Sequence, residues 1–181
     1  MNKQTYIALL RGINVGGHKK VPMAALKAMM EAMGFAHVKT LLNSGNVVFT
    51  GPETDAKKLE AQLSDQLEQT FGFPVPVVVR NGEEVHKMVS SAPFKEVETH
   101  KNIRLYVTFI NETLIENPLD LPWVSSDGAF HIIGFTDSEV ISYLNVSKTK
   151  TTDAMNILEK TYGKHVTTRN WNTVLKIAKL L

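Results

Sequence analysis

The order of two apolar patterns along the first half of the chain restricts the possible folds more than any other feature of the sequence. Apolar residues spaced three or four apart predict helices at residues 22–33 and around residues 59–67, which Gly34 and Gly72 are expected to end. Short runs typical of strands occur at residues 6–10, 37–42, 47–49 and 75–79. The predicted order is β-α-β-β-α-β, which is that of a ferredoxin-like antiparallel sheet with both helices on one face.

This order has a geometric consequence for the loops. The first and second strands run in one direction, and the third and fourth strands run in the other. The loop after the first strand, the turn at residues 44–46 and the turn at residues 72–73 then lie at the same end of the sheet. We therefore expect the two most unusual segments of the first half, residues 11–20 and 44–46, to be neighbours.

The second half repeats this order less regularly. Two similar lobes are one interpretation, supported by a resemblance between residues 68–75 and 159–166, and one lobe followed by an irregular unit is the other. The predicted elements are strands at residues 103–110, 129–133, 140–144 and 165–168, short helices at residues 83–91 and 112–117, a helix at residues 153–162 and a closing helix at residues 171–181.

These patterns together predict an α+β protein. It would have two ferredoxin-like β-α-β-β-α-β lobes, with antiparallel sheets, helices packed on one face and an extra C-terminal helix. The predicted lobes comprise residues 1–82 and 102–181, and residues 83–101 form a helix and linker between them.

The loop at residues 11–20 has the composition of an anion-binding segment. Three glycines, Gly12, Gly16 and Gly17, allow the backbone to pass close to a ligand, and Arg11 and Lys19 supply positive charge together with Lys20. The spacing is neither that of a dinucleotide-binding loop nor that of a P-loop. The alternative is a glycine-rich turn in which the side chain of Asn14 binds its own backbone.

The segment Ser44-Gly45-Asn46 offers polar groups beside that loop. Ser44 lacks the surroundings of a seryl nucleophile, because no base and no G-x-S-x-G pattern accompany it. Ser44 and Asn46 are candidates for completing a polar pocket, and the alternative is an ordinary hairpin turn.

Polar donors also crowd residues 167–173, near the end of the chain. Asn170 or Thr168 is a candidate cap of the last helix, which would put Arg169 beside a helix N-terminus that attracts anions. For Arg169 the alternative is an ordinary ion pair. Trp171 suits either stacking on a ligand ring or anchoring the core, and large aromatic side chains are mostly buried.

The charges of the chain are unevenly distributed. The formal net charge is +2, yet residues 1–30 carry +5 with no acidic residue, and residues 146–181 also carry +5. The intervening residues 31–82 and 83–145 carry −2 and −6. The sequence therefore suggests that the two basic ends converge on one cleft that attracts anions.

Several classes of site and location are disfavoured by composition. The chain has no cysteine, which excludes disulfides, cysteine zinc sites and a cysteine nucleophile. Its six histidines show no metal-binding spacing, so we expect no metal and no cofactor. No apolar run approaches the roughly 20 residues that span a bilayer, and the N-terminus lacks signal-peptide features, so we expect a cytoplasmic protein without a membrane partner.

Three segments resemble the bacterial domain-of-unknown-function 1697 family. They are residues 8–17 (Ala-Leu-Leu-Arg-Gly-Ile-Asn-Val-Gly-Gly) with residues 21–23 (Val-Pro-Met), residues 44–49 (Ser-Gly-Asn-Val-Val-Phe) and residues 168–173 (Thr-Arg-Asn-Trp-Asn-Thr). The resemblance extends from near residue 5 to the C-terminus. His18 stands where Lys is expected, and Ala92 stands where Asn is expected. The resemblance implies an α+β fold of ferredoxin-like character, and it brings no activity, catalytic residue or cofactor.

Three functions are compatible with these observations. The favoured hypothesis is binding of a small anion that bears phosphate or carboxylate, such as a nucleotide, with Arg11, Gly12, Asn14, Gly16, Gly17, Lys19, Ser44, Asn46, Arg169 and Asn170 as ligand-binding residues. A nucleic-acid-binding module is the first alternative, although strand aromatics of the RNA-recognition type are poorly represented. An enzyme is the second, and the sequence identifies no general base and no catalytic residue for it.

Overall fold

A computed structural model describes residues 2–111, 117–136 and 138–181 of the chain. It is a mixed α+β structure whose described part contains two antiparallel sheets and five helices. The chain divides into two compact units. The first comprises the residues up to Ser90 together with Lys176–Leu181, and the second comprises Ser91–Leu175.

The first unit contains a four-stranded antiparallel sheet in the order β2-β3-β1-β4. The order β-α-β-β-α-β predicted for the first half is the one observed, followed by a third helix. The elements are β1 (Lys3–Leu10), α1 (Met23–Ala32), β2 (Ala36–Leu41), β3 (Asn46–Pro52), α2 (Ala56–Phe71), β4 (Val77–Asn81) and α3 (Gly82–Ser90).

One face of this sheet and the apolar stripes of α1 and α2 form the first core. Leu26 and Met30 of α1 and Leu63 of α2 are buried with Tyr6 and Phe49 of the sheet. Helix α2 begins where the side chain of Asp55 accepts hydrogen bonds from the first turn, and it ends at Gly72, whose φ is 80°. The spacing of apolar residues therefore predicted α1 and α2 correctly.

The free edge of β4 is covered by side chains. Glu60 of α2 accepts a hydrogen bond from the N–H of Val79 (2.9 Å), and Arg80 Nη1 donates to the carbonyl of Val79 (2.9 Å). Glu60 Oε1 lies 3.9 Å from Arg80 Nη1, and Glu60 Oε2 lies 3.0 Å from Lys57 Nζ. Glu60 and Arg80 are both buried. This ionic group satisfies a strand edge that would otherwise present unpaired peptide groups.

The second unit contains a five-stranded antiparallel sheet in the order β6-β7-β8-β5-β9. The order β7-β8-β5-β9 repeats the order β2-β3-β1-β4 of the first unit. The elements are β5 (Ile103–Phe109), β6 (Trp123–Val124), β7 (Phe130–Phe135), β8 (Glu139–Asn145), α4 (Thr151–Tyr162), β9 (Thr167–Asn170) and the greater part of α5 (Trp171–Ala178).

The second half departs in part from the expected elements. Residues 112–116 of the helix expected at residues 112–117 lie outside the described residues. The two-residue strand β6 was not predicted, because two residues are too few to show a period of two. The strand expected at residues 165–168 instead spans Thr167–Asn170. Its residues are polar, so apolar alternation does not mark its bounds, which follow from its pairing with β5.

Candidate functional site

Two segments of the first unit form the candidate site. They are the loop between β1 and α1 at residues 11–20, here called the glycine loop, and the turn between β2 and β3 at residues 42–46, here called the hairpin turn. The side-chain amide of Asn14 donates a hydrogen bond to the carbonyl of Asn43 (2.7 Å), which joins the two segments. The structure thus brings together the two segments that strand direction predicted to be neighbours.

The glycine loop is itself a small hairpin. The N–H of Asn14 donates to the carbonyl of Lys19 (3.1 Å), and the N–H of His18 donates to the carbonyl of Val15 (3.0 Å). The two residues between Val15 and His18 are glycines with φ of 59° and 78°. Positive φ at both central residues is the requirement of a type I′ turn, which only residues such as glycine and asparagine meet at low cost. The glycines therefore set the shape of the loop.

Asn14 fixes the glycine loop from inside. Its Nδ2 donates to the carbonyl of Val21 (3.0 Å) as well as to Asn43, and its Oδ1 accepts from the N–H of Val21 (2.8 Å). Both amide hydrogens are thus used within the protein. The φ of Asn14 is 56°, a left-handed conformation that asparagine tolerates. The binding of backbone groups by the Asn14 side chain, expected as the alternative to ligand binding, is observed.

The hairpin turn packs tightly on the end of β1. The N–H of Leu10 donates to the carbonyl of Gly45 (2.8 Å), and Gly45 is buried with φ of 77°. A Cβ atom at position 45 would lie 2.7 Å from Leu10 Cβ and 2.7 Å from Ile13 Cδ1. A glycine is therefore required here both by the backbone conformation and by the close approach of two segments of the chain.

Asn46 holds the hairpin turn closed. Its Nδ2 donates to the carbonyl of Leu41 (2.8 Å) and to Ser44 Oγ (3.0 Å), and the residue is fully buried. Ser44 is exposed beside it. At the start of the glycine loop, the N–H of Arg11 donates to the carbonyl of Pro76 (2.9 Å), so the segment before β4 also lies at this end of the sheet.

Positive charge is concentrated between the glycine loop and α1. Lys19 and Lys20 are exposed, and Arg11 is partly buried. Helix α1 begins after Pro22 without a side-chain cap, and its first turn contains no acidic residue. The N-terminal turn of a helix has N–H groups without helical partners and a partial positive charge. The lysines and the helix N-terminus therefore act in the same direction on an anion.

Apart from Arg11, which is partly buried, the predicted site residues of the first unit fall into two groups. Asn14 and Asn46 use their side-chain amides in hydrogen bonds within the protein and so shape the candidate site. The residues exposed at the surface are Gly12, Gly16, Gly17, Lys19 and Ser44.

Arg169 and Asn170 belong to the last strand of the second unit. Asn170 Oδ1 accepts a hydrogen bond from the N–H of Asn172 (3.0 Å), so Asn170 caps α5 as one of the two expected candidates. Arg169 Nη1 donates to the carbonyl of Thr168 (3.1 Å), and burial lowers the pKa of the Arg169 guanidinium to about 10. Their participation in ligand binding stays a prediction.

Trp171 contacts another aromatic ring of the second unit. Its ring lies edge-to-face against Phe94 with the centroids 5.1 Å apart, and Phe94 is buried. This contact favours an anchoring role for Trp171 over stacking on a ligand.

A surface cavity of about 560 Å³ lies at the opposite end of the first sheet. Sequence reasoning missed it, because its lining comes from the ends of three strands and the start of α3. Its lining includes the charged residues Lys3, Glu53 and Glu83, together with His86.

Residues 2–111, 117–136 and 138–181 contain no group of three or more histidine, aspartate or glutamate side chains placed to hold a metal ion. Among the helices of that same part of the chain, none has the length and apolar character needed to cross a membrane.

Comparisons with known proteins place the chain in a family. The sequence model described as "Protein of unknown function (DUF1697)" matches residues 3–121, which include the glycine loop and the hairpin turn. A solved structure of the conserved bacterial protein SP0830 from Streptococcus pneumoniae is similar over 99% of both chains, with 24% sequence identity and a TM-score of 0.72. That likeness concerns the fold. No curated protein matches the chain. The chain belongs to the DUF1697 family of proteins of unknown function.

Proposed function

We propose that the glycine loop and the hairpin turn bind a small anion bearing a phosphate or carboxylate group, with nucleotides among the candidates. The observation that carries the proposal is the pair of exposed lysines, Lys19 and Lys20, placed directly before a helix whose first turn has neither a capping side chain nor an acid. An anion held there would gain from the lysine charges and from the helix N-terminus together.

The roles of the residues follow from their contacts. Lys19, Lys20 and Arg11 supply charge, and Arg11 is suited to a bidentate contact with phosphate or carboxylate. Gly16 and Gly17 let a ligand approach the backbone, and Ser44 offers a hydroxyl from the neighbouring turn. Asn14 and Asn46 are positioning residues, because the amide of Asn14 joins the two segments and the amide of Asn46 holds the hairpin turn closed.

A nucleic-acid-binding role is less well supported. RNA-recognition modules of β-α-β-β-α-β order stack bases on aromatic side chains that project from the open face of the sheet. In the first unit, the face of β1 and β3 away from α1 and α2 has the aliphatic residues Ile7, Leu9 and Val48, and all three are buried. A small ligand at the loop end needs no such platform.

Thermal unfolding with a panel of anions tests the proposal. We expect phosphate, pyrophosphate, citrate or AMP to stabilise the protein, by about 2.7 kcal/mol at a ligand concentration of 100 Kd. The double variant Lys19→Ala/Lys20→Ala should lose most of this stabilisation. Its matched control is Lys95→Ala/Lys101→Ala, which removes the same charge from exposed lysines of the second unit. The proposal fails if no anion stabilises the protein, or if both double variants respond as the wild type does.

A further inference from the structure

The loop end of the first unit exposes apolar side chains as well as positive charge. Four large hydrophobic residues are conspicuously exposed in the part of the chain that the structure describes, and two of them belong to the candidate site. Val15 is 68% exposed in the glycine loop, and Leu42 is 48% exposed in the hairpin turn. Their chain neighbours Asn14 and Asn43 are joined by a hydrogen bond of 2.7 Å. The two exposed side chains therefore start from adjacent parts of the backbone.

The backbone conformation at position 42 does not favour a leucine. The φ of Leu42 is 59°, a left-handed conformation that costs a residue with a Cβ and is rare for leucine. Glycine or asparagine would adopt this turn more readily. A leucine with about half of its surface in water also gains only part of the free energy of burial. A contact with something outside the chain would account for leucine at this position.

The nearby charges favour a contacting group of negative charge. Lys19 and Lys20 are exposed in the segment that contains Val15, and residues 1–30 contain no acidic residue. A surface that combines cations with aliphatic side chains is complementary to an anion that also has an apolar part. A bare inorganic anion would use the charges and leave Val15 and Leu42 in water.

We propose that the ligand of this site is a small amphiphilic anion, whose phosphate or carboxylate lies at Lys19, Lys20 and the start of α1 and whose apolar group covers Val15 and Leu42. This inference rests on the proposed function and specifies the class of ligand. A second copy of the chain is a poorer occupant, because a two-fold symmetric contact through this surface would bring the exposed lysines of both copies, and no acidic residue of residues 1–30, into one interface.

Calorimetric titration with two matched probes tests the inference. Inorganic phosphate has only the anionic group, whereas phenyl phosphate adds an apolar ring. We expect phenyl phosphate to bind the wild type about tenfold more tightly, the change that covering roughly 50 Å² of apolar surface brings. The variant Val15→Thr/Leu42→Asn should remove this preference, because it lowers the affinity for phenyl phosphate more than the affinity for inorganic phosphate. The control Val124→Thr, at an exposed valine of the second unit, should keep the preference.

The outcomes separate this inference from the proposed function. Equal affinities of the two probes for the wild type would overturn the inference and leave anion binding intact. A preference for phenyl phosphate that survives in Val15→Thr/Leu42→Asn would also overturn it. Binding of neither probe would refute both. A dimer in sedimentation experiments that Leu42→Asn dissociates would identify the patch as a subunit interface and overturn the inference. If a single-stranded oligonucleotide bound more tightly than phenyl phosphate, with a steep salt dependence, the inference would be overturned and the partner would be nucleic acid.

Discussion

The side chain of Asn14 is expected to hold the candidate site together, and replacing it tests the site's construction. Its amide makes three hydrogen bonds, two with Val21 and one with Asn43, between 2.7 and 3.0 Å. Val21 is buried, so its N–H and carbonyl groups would lose partners that water does not easily replace. At roughly 1 kcal/mol for each bond, with the more exposed bond to Asn43 counting for less, Asn14→Gly should lower the free energy of unfolding by about 2–3 kcal/mol.

Two companion variants separate the hydrogen bonds from the backbone. Glycine accepts the φ of 56° at this position, so Asn14→Gly tests the hydrogen bonds. Asn14→Ala adds the cost of a Cβ in the left-handed region and should be less stable than Asn14→Gly by about 1 kcal/mol. Asn14→Asp would place a carboxylate oxygen against the carbonyls of Val21 and Asn43, and it should destabilise more than glycine at neutral pH.

Urea unfolding measures these free energies, and hydrogen exchange at the N–H of Val21 reports the loop directly. We expect faster exchange at Val21 in all three variants, because its acceptor is lost or displaced. A decrease below about 0.5 kcal/mol for Asn14→Gly, the range of ordinary surface substitutions, would refute the view that this amide holds the loop. Unchanged exchange at Val21 would refute it as well.

Two further predictions concern the surroundings of the site and the second unit. Glu60→Ala should lower the free energy of unfolding by about 3 kcal/mol in urea titrations, because it removes the carboxylate beside buried Arg80 and the acceptor of the Val79 N–H. Glu68→Ala, on the same helix, is the control. Equally small effects of the two substitutions would contradict the role assigned to Glu60. Burial raises the pKa of the Tyr162 hydroxyl to about 12, so its contribution to stability is fully present below pH 10 and is lost as the pH rises towards 12. The wild type should therefore lose stability over that interval more steeply than Tyr162→Phe, and parallel pH profiles would contradict this assignment.

The elements of the first unit could be predicted because each of them has a local pattern of apolar residues, which is either a helical spacing or a short apolar run. Leu59, Leu63 and Leu67 recur every four residues and are all buried on one face of α2. The apolar run of residues 6–10 became the buried part of β1. Less of the second unit could be predicted, because β9 is a polar strand whose place depends on β5.

The candidate site, too, could be predicted from the sequence only in part. The residue types of the glycine loop and the order of the strands were enough to place that loop beside the hairpin turn. The sequence did not indicate that Asn14 would use both of its amide hydrogens inside the protein, nor that Val15 and Leu42 would stay exposed. Asn14 and Asn43 are 29 positions apart, and the pairing of β1 and β2 with β3 brings them within hydrogen-bond distance.

The sequence by itself determined the helices and strands of the first unit, the positive charge of its first 30 residues and the glycines of the loop, because period, charge and backbone freedom are properties of neighbouring residues. Only the tertiary structure decided which polar groups are used internally and which side chains remain at the surface. Hydrogen bonds between distant segments and the burial of a side chain both depend on which parts of the chain pack together. In this protein, packing uses the side chain of Asn14 inside the candidate site and leaves Lys19 and Leu42 exposed at its surface.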